Sequence, residues 1–179
     1  MTVARTICLG FLAVITVGAL LLMLPFSTAA GTWNSPVVAL FTSTSAVCVT
    51  GLSVVDVGKF YSFWGQLFIV LLVQVGGLGY MTATTVLLLL LGRRLGLRDK
   101  VAIQQSLDVQ GLSGLSGLLR SIIATTLLFE LTGVIVLMLV FLPQFSDRPF
   151  FALWQSIFHS VNSFNNAGFS LFSDSFVQY

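Results

Sequence analysis

Three long apolar runs constrain the fold of this chain more than any other feature of its sequence. Each is near or above the ~20 residues that cross the hydrocarbon core of a bilayer. They are Ile7 to Phe26, Phe63 to Leu91 and Leu118 to Leu142. Only 8% of the 179 residues are charged, against ~25% in an average soluble domain, which excludes a soluble core. We therefore expect an all-α polytopic membrane protein with three full spans.

The first run has to be weighed against a secretory signal, because Arg5 precedes it and small residues follow it from Ser27 to Ala30. The apolar core of a signal is ~7 to 15 residues long. The run from Ile7 to Phe26 has 20 residues, contains Pro25 near its end and is followed by more apolar sequence. We therefore favour a genuine first span over a cleaved signal.

The basic residues lie at particular ends of the runs. Arg5 precedes the first run, and a basic cluster follows the second, made of Arg93, Arg94, Arg98 and Lys100. Because lysine and arginine are enriched on the cytoplasmic side, we expect a cytoplasmic N-terminus, a cytoplasmic linker over residues 93–117, and Asp56 and Asp174 outside. This predicts a multi-pass protein of the plasma membrane. A net charge of +2 is too small to indicate nucleic acid, and anionic membrane lipid explains the basic cluster equally well.

A segment between the first two spans is too short to cross the membrane and too apolar for an ordinary loop. Pro36 to Val47 has 12 residues, a length typical of a re-entrant helix, and proline suits a first helical turn. Cys48 to Ser53 then favours extended backbone, because its residues are small, β-branched or hydroxylated. Backbone at membrane depth must pair with protein or line a water-filled cavity, so this segment indicates a pore or a buried site.

The same pattern returns 117 residues later, where Gly168 aligns with Gly51. A second short helix is predicted over Trp154 to Ser163, and the same apolar and small residues surround both glycines. We expect two units, residues 1–92 and 118–179, joined by the cytoplasmic linker, with the second ending before its closing span. Since a pore needs several such units around an axis, we expect the chain to be the N-terminal portion of a longer protein.

Three stretches carry a resemblance to a known family. They are Thr42 to Leu52, Gln74 to Met81 and Phe158 to Phe169. They resemble the Trk/Ktr/HKT superfamily of potassium transporters, most closely its KtrB-like, or NtpJ-like, membrane subunits. The resemblance implies four repeated units, each of span, re-entrant pore helix, filter segment and span, arranged like a potassium channel. About one and a half of those units lie in this chain.

The resemblance implies potassium uptake through a pore lined by backbone carbonyls. Carbonyl oxygens replace the hydration shell of the ion, and glycine permits the dihedrals that turn carbonyls inward. We assign the ion filter to two matching sets of residues, Val49, Thr50 and Gly51, and Asn166, Ala167 and Gly168. Cys48 and Asn165 are assigned to filter support. We expect the two glycines to form equivalent layers, the Thr50 hydroxyl to be available to the ion, and the amides of Asn165 and Asn166 to pin the second segment from behind.

Several other residues have more than one interpretation. Gly76, Gly77 and Gly79 favour close helix packing over a hinge. Glu130 is an acid in the middle of a span, where a functional site is the default hypothesis. We favour a buried, hydrogen-bonded structural role for it over a proton or sodium relay. We expect His159 to be packed and neutral rather than a ligand or a pH sensor.

The sequence offers no constellation for catalysis, since paired carboxylates, a histidine cluster and a phosphate-binding glycine loop are all missing. We expect a protein that is not an enzyme, with no cofactor and no metal beyond transported K⁺; coupling to Na⁺ stays open. The alternative function is a secondary transporter of another cation or small solute with a midplane binding site. We expect a homodimer of the full-length protein, and the resemblance implies cytoplasmic nucleotide-binding regulatory subunits.

Overall fold

A computed structural model of the chain describes residues 3–79 and 115–177, which form six α-helices and no strand. The helical class predicted from the sequence is confirmed over this part of the chain. The helices are α1 (Val3–Met23), α2 (Pro36–Val47), α3 (Val57–Phe60), α4 (Phe63–Gly77), α5 (Leu115–Gln144) and α6 (Pro149–Phe164). A single 3₁₀ turn, Pro25–Ser27, follows α1.

Among these helices, one is long and apolar enough to cross a membrane. It is the Arg120–Gln144 part of α5, with a mean hydropathy of 2.3. Ile7–Met23 and Phe63–Gly77 are apolar but shorter. The continuation of the second predicted span to Leu91 and the linker up to residue 114 lie outside the described residues.

The surface of α5 is typical of a helix in lipid rather than of the core of a soluble protein. Only 11% of its most apolar window is buried, so the described residues leave most of its large apolar side chains uncovered. The exposed side chains include Leu128, Phe129, Leu131, Ile135 and Leu139. A soluble protein that exposed such a surface would aggregate, which agrees with membrane placement.

The sequence predicted α2 more accurately than the other helices. It runs over Pro36–Val47 as expected, with proline in its first turn. The first helix ends at Met23 rather than Phe26, because Pro25 starts the 3₁₀ turn. The second short helix begins at Pro149 rather than at Trp154, again with proline in the first turn.

The central helix of the described fold is α4. It packs against α1 and α2 on one side and α6 on the other, while α6 packs mainly on α5. One apolar core joins α1, α2, α4 and α6. It contains Leu22, Ala46, Ile69, Val73 and Phe158. The ends of α2 and α6 are therefore held at a fixed distance from each other by one helix between them.

A serine–glycine contact seats each short helix on the long helix before it. Ser43 Oγ donates to a carbonyl of α1 at 2.8 Å, and a Cβ on Gly18 would lie 2.5 Å from that oxygen. Ser160 Oγ donates to a carbonyl of α5 at 2.6 Å, and a Cβ on Gly133 would lie 2.3 Å away. Small residues allow such close approach between membrane helices, so both contacts depend on glycine.

Candidate ion filter

Both short helices end in the same backbone geometry. After each helix, three successive N–H groups donate to carbonyls of its last turn. In the first unit, Cys48, Val49 and Thr50 donate to Thr44, Ala46 and Ser45 at 2.8, 3.2 and 2.9 Å. In the second, Asn165, Asn166 and Ala167 donate to Val161, Ser163 and Asn162 at 3.1, 3.1 and 2.8 Å. Donors and acceptors are each offset by 117 residues, so the repeat extends from sequence to hydrogen bonding.

The residues after these bonds also share a backbone handedness. Val49 and Asn166 have φ angles of 55° and 56°, and Gly51 and Gly168 have 67° and 81°. The prediction of extended backbone over Cys48 to Ser53 is therefore wrong at Val49, whereas the two glycines have the unusual dihedrals that were expected of them. A β-branched residue at positive φ is a clear outlier, and such strain is concentrated at functional sites. The positive φ of Val49 therefore indicates a functional turn independently of the glycines.

The two glycine segments, Val49–Gly51 and Asn166–Gly168, leave their carbonyls free of protein partners. Within residues 3–79 and 115–177, none of their six carbonyl oxygens accepts a hydrogen bond. Buried carbonyls are normally paired with protein or water. In a strand, successive peptide groups face opposite sides, whereas a change in the sign of φ rotates the peptide plane and can bring oxygens to one side. Unpaired carbonyls in such a turn are suited to bind a cation.

The two glycines are in direct contact with the opposite segment, but their surroundings differ. A Cβ on Gly51 would lie 1.8 Å from the Ala167 oxygen and 2.9 Å from the Gly168 carbonyl carbon. A Cβ on Gly168 would meet only the Gly51 Cα, at 3.8 Å. The two positions therefore share a left-handed backbone. Only at Gly51 is there also too little space for any side chain.

A cavity of about 400 Å³ lies against both glycines. The residues that follow each glycine line it, including Asp56 from the first unit and Ser173 from the second. Ser173 Oγ donates to Asp56 Oδ2 at 2.6 Å, which joins the two loops. This hydrogen bond is the largest factor that holds the pKa of Asp56 below its usual range, and Lys59, 3.5 Å away, contributes in the same direction. The cavity thus carries a fixed negative charge beside the glycine segments.

The other residues assigned to the filter have different environments. Thr50 Oγ1 donates to Ser45 Oγ at 2.9 Å, so the hydroxyl expected to face an ion is bonded to the end of α2. The Asn166 side chain is exposed and makes no hydrogen bond to any residue that the structure describes, so its pinning role stays a prediction. Asparagine tolerates the left-handed backbone found there. Cys48 is an exposed free thiol, and Ala167 is buried.

Asn165 is held by two hydrogen bonds, one of which crosses between the two units. Its Nδ2 donates to Gln74 Oε1 and to the Val161 carbonyl, each at 2.9 Å. The side chain of Glu130 is buried and interacts with the side chains of both Gln74 and Asn165. Sequence reasoning named these residues singly but had no signal that would bring them together, because they lie on three different elements.

The glycines at the end of α4 divide into two kinds. A Cβ on Gly76 would lie 2.2 Å from the Val47 carbonyl oxygen, and one on Gly77 would lie 1.9 Å from Asn165 Oδ1. The prediction of close packing is therefore confirmed for these two positions. At Gly79 φ is +76° and no atom of the described residues lies within 4 Å of the Cβ position, so close packing stays a prediction there.

The side chain of His159 is buried and hydrogen-bonds as a neutral imidazole. Its backbone partners precede and follow the second glycine segment in the chain. Its Nδ1 lies 2.8 Å from the Gln155 carbonyl and so carries the proton. Its Nε2 accepts from the N–H of Leu171 at 3.2 Å, and the ring stacks on Phe172. The prediction of a packed histidine is confirmed. In the parts of the chain described, no three His, Cys, Asp or Glu side chains are grouped to hold a metal ion.

Comparison with known proteins places this chain in a family. The TrkH family, described as cation transport protein, matches residues 7–179. Ktr system potassium uptake protein B of Bacillus subtilis is 37% identical over 99% of this chain and 39% of its own length. Its namesake in Vibrio alginolyticus is 39% identical over 98% of this chain and 38% of its own length.

A third relative has a broader name. The potassium/sodium uptake protein NtpJ of Enterococcus hirae is 34% identical over 97% of this chain and 38% of its own length. The chain therefore spans about 39% of the length of the relatives it matches. These proteins are transporters rather than enzymes, as the sequence predicted. With a family match over nearly its whole length, this chain belongs to the TrkH family of cation transport proteins.

Proposed function

We propose that the chain contributes to potassium uptake across the cell membrane, and that the two glycine segments are part of the ion filter. One observation carries the proposal. Two segments 117 residues apart share their hydrogen bonds and left-handed positions and hold six carbonyl oxygens without hydrogen-bond partners among the described residues. Carbonyl oxygens at such a site replace the water around K⁺.

The electrostatics support a cation rather than an anion at this site. The C-terminal ends of α2 and α6 both lead directly into the glycine segments, and helix C-termini carry a partial negative charge. The carboxylate of Asp56 adds a negative charge at the adjoining cavity. Two glycine segments do not close a ring, so we propose that they act within a larger pore. Whether Na⁺ accompanies K⁺ is part of the test, since one relative is named for both ions.

The test is uptake in bacteria that lack their own potassium transporters, expressing the full reading frame that contains the chain. Growth and ⁸⁶Rb⁺ or K⁺ influx at limiting external K⁺ should be restored. Replacing external Na⁺ by choline separates the two mechanisms, because a sodium-coupled protein loses influx and an uncoupled one does not. No K⁺ influx from a protein that reaches the membrane would refute the proposal.

We also propose a multi-pass topology with the N-terminus in the cytoplasm, and a basic linker that meets regulatory subunits or anionic lipid there. It rests on the lysine and arginine distribution. In a Cys8→Ser, Cys48→Ser background, Asp56→Cys and Arg98→Cys should react with an impermeant thiol reagent from opposite sides of the membrane. The background protein is the control, and reaction from the same side would contradict the topology. Crosslinking of the full-length protein tests the proposed homodimer.

A further inference from the structure

Glu130 is the one buried acid among the described residues, and its bonding is incomplete. The residue is 8% exposed, and Oε1 has no hydrogen-bond partner within the described part of the chain. The carboxylate interacts with the side chains of Gln74 and Asn165, and of these the Gln74 amide is free to donate to it. A buried charged or polar group is costly in a membrane unless it has a role that compensates. The position of its two partners indicates what that role is.

The partners link Glu130 to the second glycine segment. Asn165 Nδ2 donates to Gln74 Oε1 at 2.9 Å, which leaves the Gln74 amide nitrogen to donate to the carboxylate. Asn165 is also the last residue before Asn166–Gly168. Its amide fills the space left by Gly77, where a Cβ would lie 1.9 Å from Asn165 Oδ1. The side chain is thus fixed from two helices at the point where the segment begins.

Among the described residues, the first unit has no equivalent of this cluster. The carbonyls of Ile15 and Glu130 accept the matching serine hydroxyls of the two units, so these residues occupy corresponding places. The counterpart of Asn165 in the repeat is Cys48, an exposed free thiol. An isoleucine and a cysteine cannot form the hydrogen bonds that a carboxylate and an amide form. The cluster is therefore specific to the second segment.

We propose that Glu130 is a positioning residue for the second glycine segment, acting through Gln74 and Asn165. The cluster holds the start of Asn166–Gly168 so that Ala167 and Gly168 stay against Gly51 and the carbonyls keep one spacing. The inference rests on the proposed function, because it assigns a role in selecting the ion that passes. A carboxylate suits the position because it accepts a hydrogen bond from the Gln74 amide and needs no donor of its own. Asn165, whose two N–H groups bond Gln74 and Val161, is then held through Gln74.

The test compares Glu130→Leu with Glu130→Gln in the full reading frame, using K⁺ influx and its inhibition by Na⁺. Glu130→Leu should lower the preference for K⁺ over Na⁺ about tenfold, or ~1.4 kcal/mol, at near-normal abundance in the membrane. Glu130→Gln should restore most of it, because one amide oxygen still accepts from Gln74. If Glu130→Leu does not reach the membrane, Gln74→Leu gives the same test from α4.

The matched control is Gln155→Leu. Gln155 lies on α6 and is not part of the cluster. Like Glu130, it is buried and has a side-chain oxygen without a hydrogen-bond partner among the described residues. It should leave ion preference unchanged. Unaltered preference in both Glu130→Leu and Gln74→Leu would overturn the inference, and so would an equal loss in Gln155→Leu. A wild-type protein without K⁺ influx would instead refute the proposed function.

Discussion

Replacing Gly51 by alanine separates a filter role from an ordinary turn. The new methyl would lie 1.8 Å from the Ala167 carbonyl oxygen, whereas ordinary contact begins at 3.4 Å. One segment must therefore move by about 1.6 Å. The left-handed backbone adds ~1–2 kcal/mol for a residue with a Cβ. We expect the displacement to change the spacing of the carbonyls, which the selection of K⁺ depends on.

Gly31→Ala is the matched control for the backbone penalty. Gly31 has a similar φ, +68°, but nothing lies within 4 Å of its Cβ position. Its substitution costs the same ~1–2 kcal/mol of conformational strain without moving a glycine segment. Gly168→Ala is expected to be intermediate, because φ is +81° and the nearest atom, the Gly51 Cα, is at an ordinary 3.8 Å. The three variants therefore differ mainly in steric contact at the segments.

The assay is K⁺ influx over a range of external K⁺, with and without Na⁺, and an immunoblot of the membrane fraction. Gly51→Ala should raise the KM for K⁺ at least about tenfold, which is ~1.4 kcal/mol, and increase inhibition by Na⁺. Gly31→Ala should stay near wild type. Equal KM values for Gly51→Ala and Gly31→Ala would refute the reasoning, and so would a larger defect in Gly168→Ala than in Gly51→Ala.

Two further predictions concern stability, measured as the Tm of the purified protein in detergent. His159→Phe should lower Tm, because the buried N–H of Leu171 loses its acceptor at a cost of about 1–3 kcal/mol; His159→Gln should lose less, and an unchanged Tm for both would contradict the assignment. Gly133→Ala should lower Tm because its methyl would lie 2.3 Å from Ser160 Oγ. The loss should be smaller in a Ser160→Ala background, and strictly additive losses would refute this contact.

Local features of the fold were predictable from the sequence because they depend on nearby residues. The apolar runs indicated helices, and Pro36 marked the start of α2 correctly. The start of α6 was missed because Pro149 follows the charged pair Asp147 and Arg148, which is typical of a loop. The bounds of a helix depend on capping and on proline, whereas its packing depends on residues far away in the chain.

The candidate site was predictable as a pair of segments but not in its internal differences. The repeat made Gly51 and Gly168 look equivalent, and only their surroundings distinguish them. Left-handed backbone at Val49 could not be predicted, because valine disfavours it in isolation. The hydrogen bond between Asn165 and Gln74 joins residues 91 positions apart. A periodic sequence pattern does not predict such a contact, which is seen only in the structure.

Gly76 and Gly77, adjacent near the end of α4, limit how the sequences of the two units can change. Gly76 abuts the last carbonyl of α2, and Gly77 abuts the side chain that follows α6. One helix therefore sets the position of both glycine segments. A shift of α4 would move both segments together, and a larger residue at either glycine would disturb the segment that it touches. The residues that follow α2 and α6 can therefore differ, as Cys48 and Asn165 do, whereas the spacing of each segment from α4 is fixed by these two glycines.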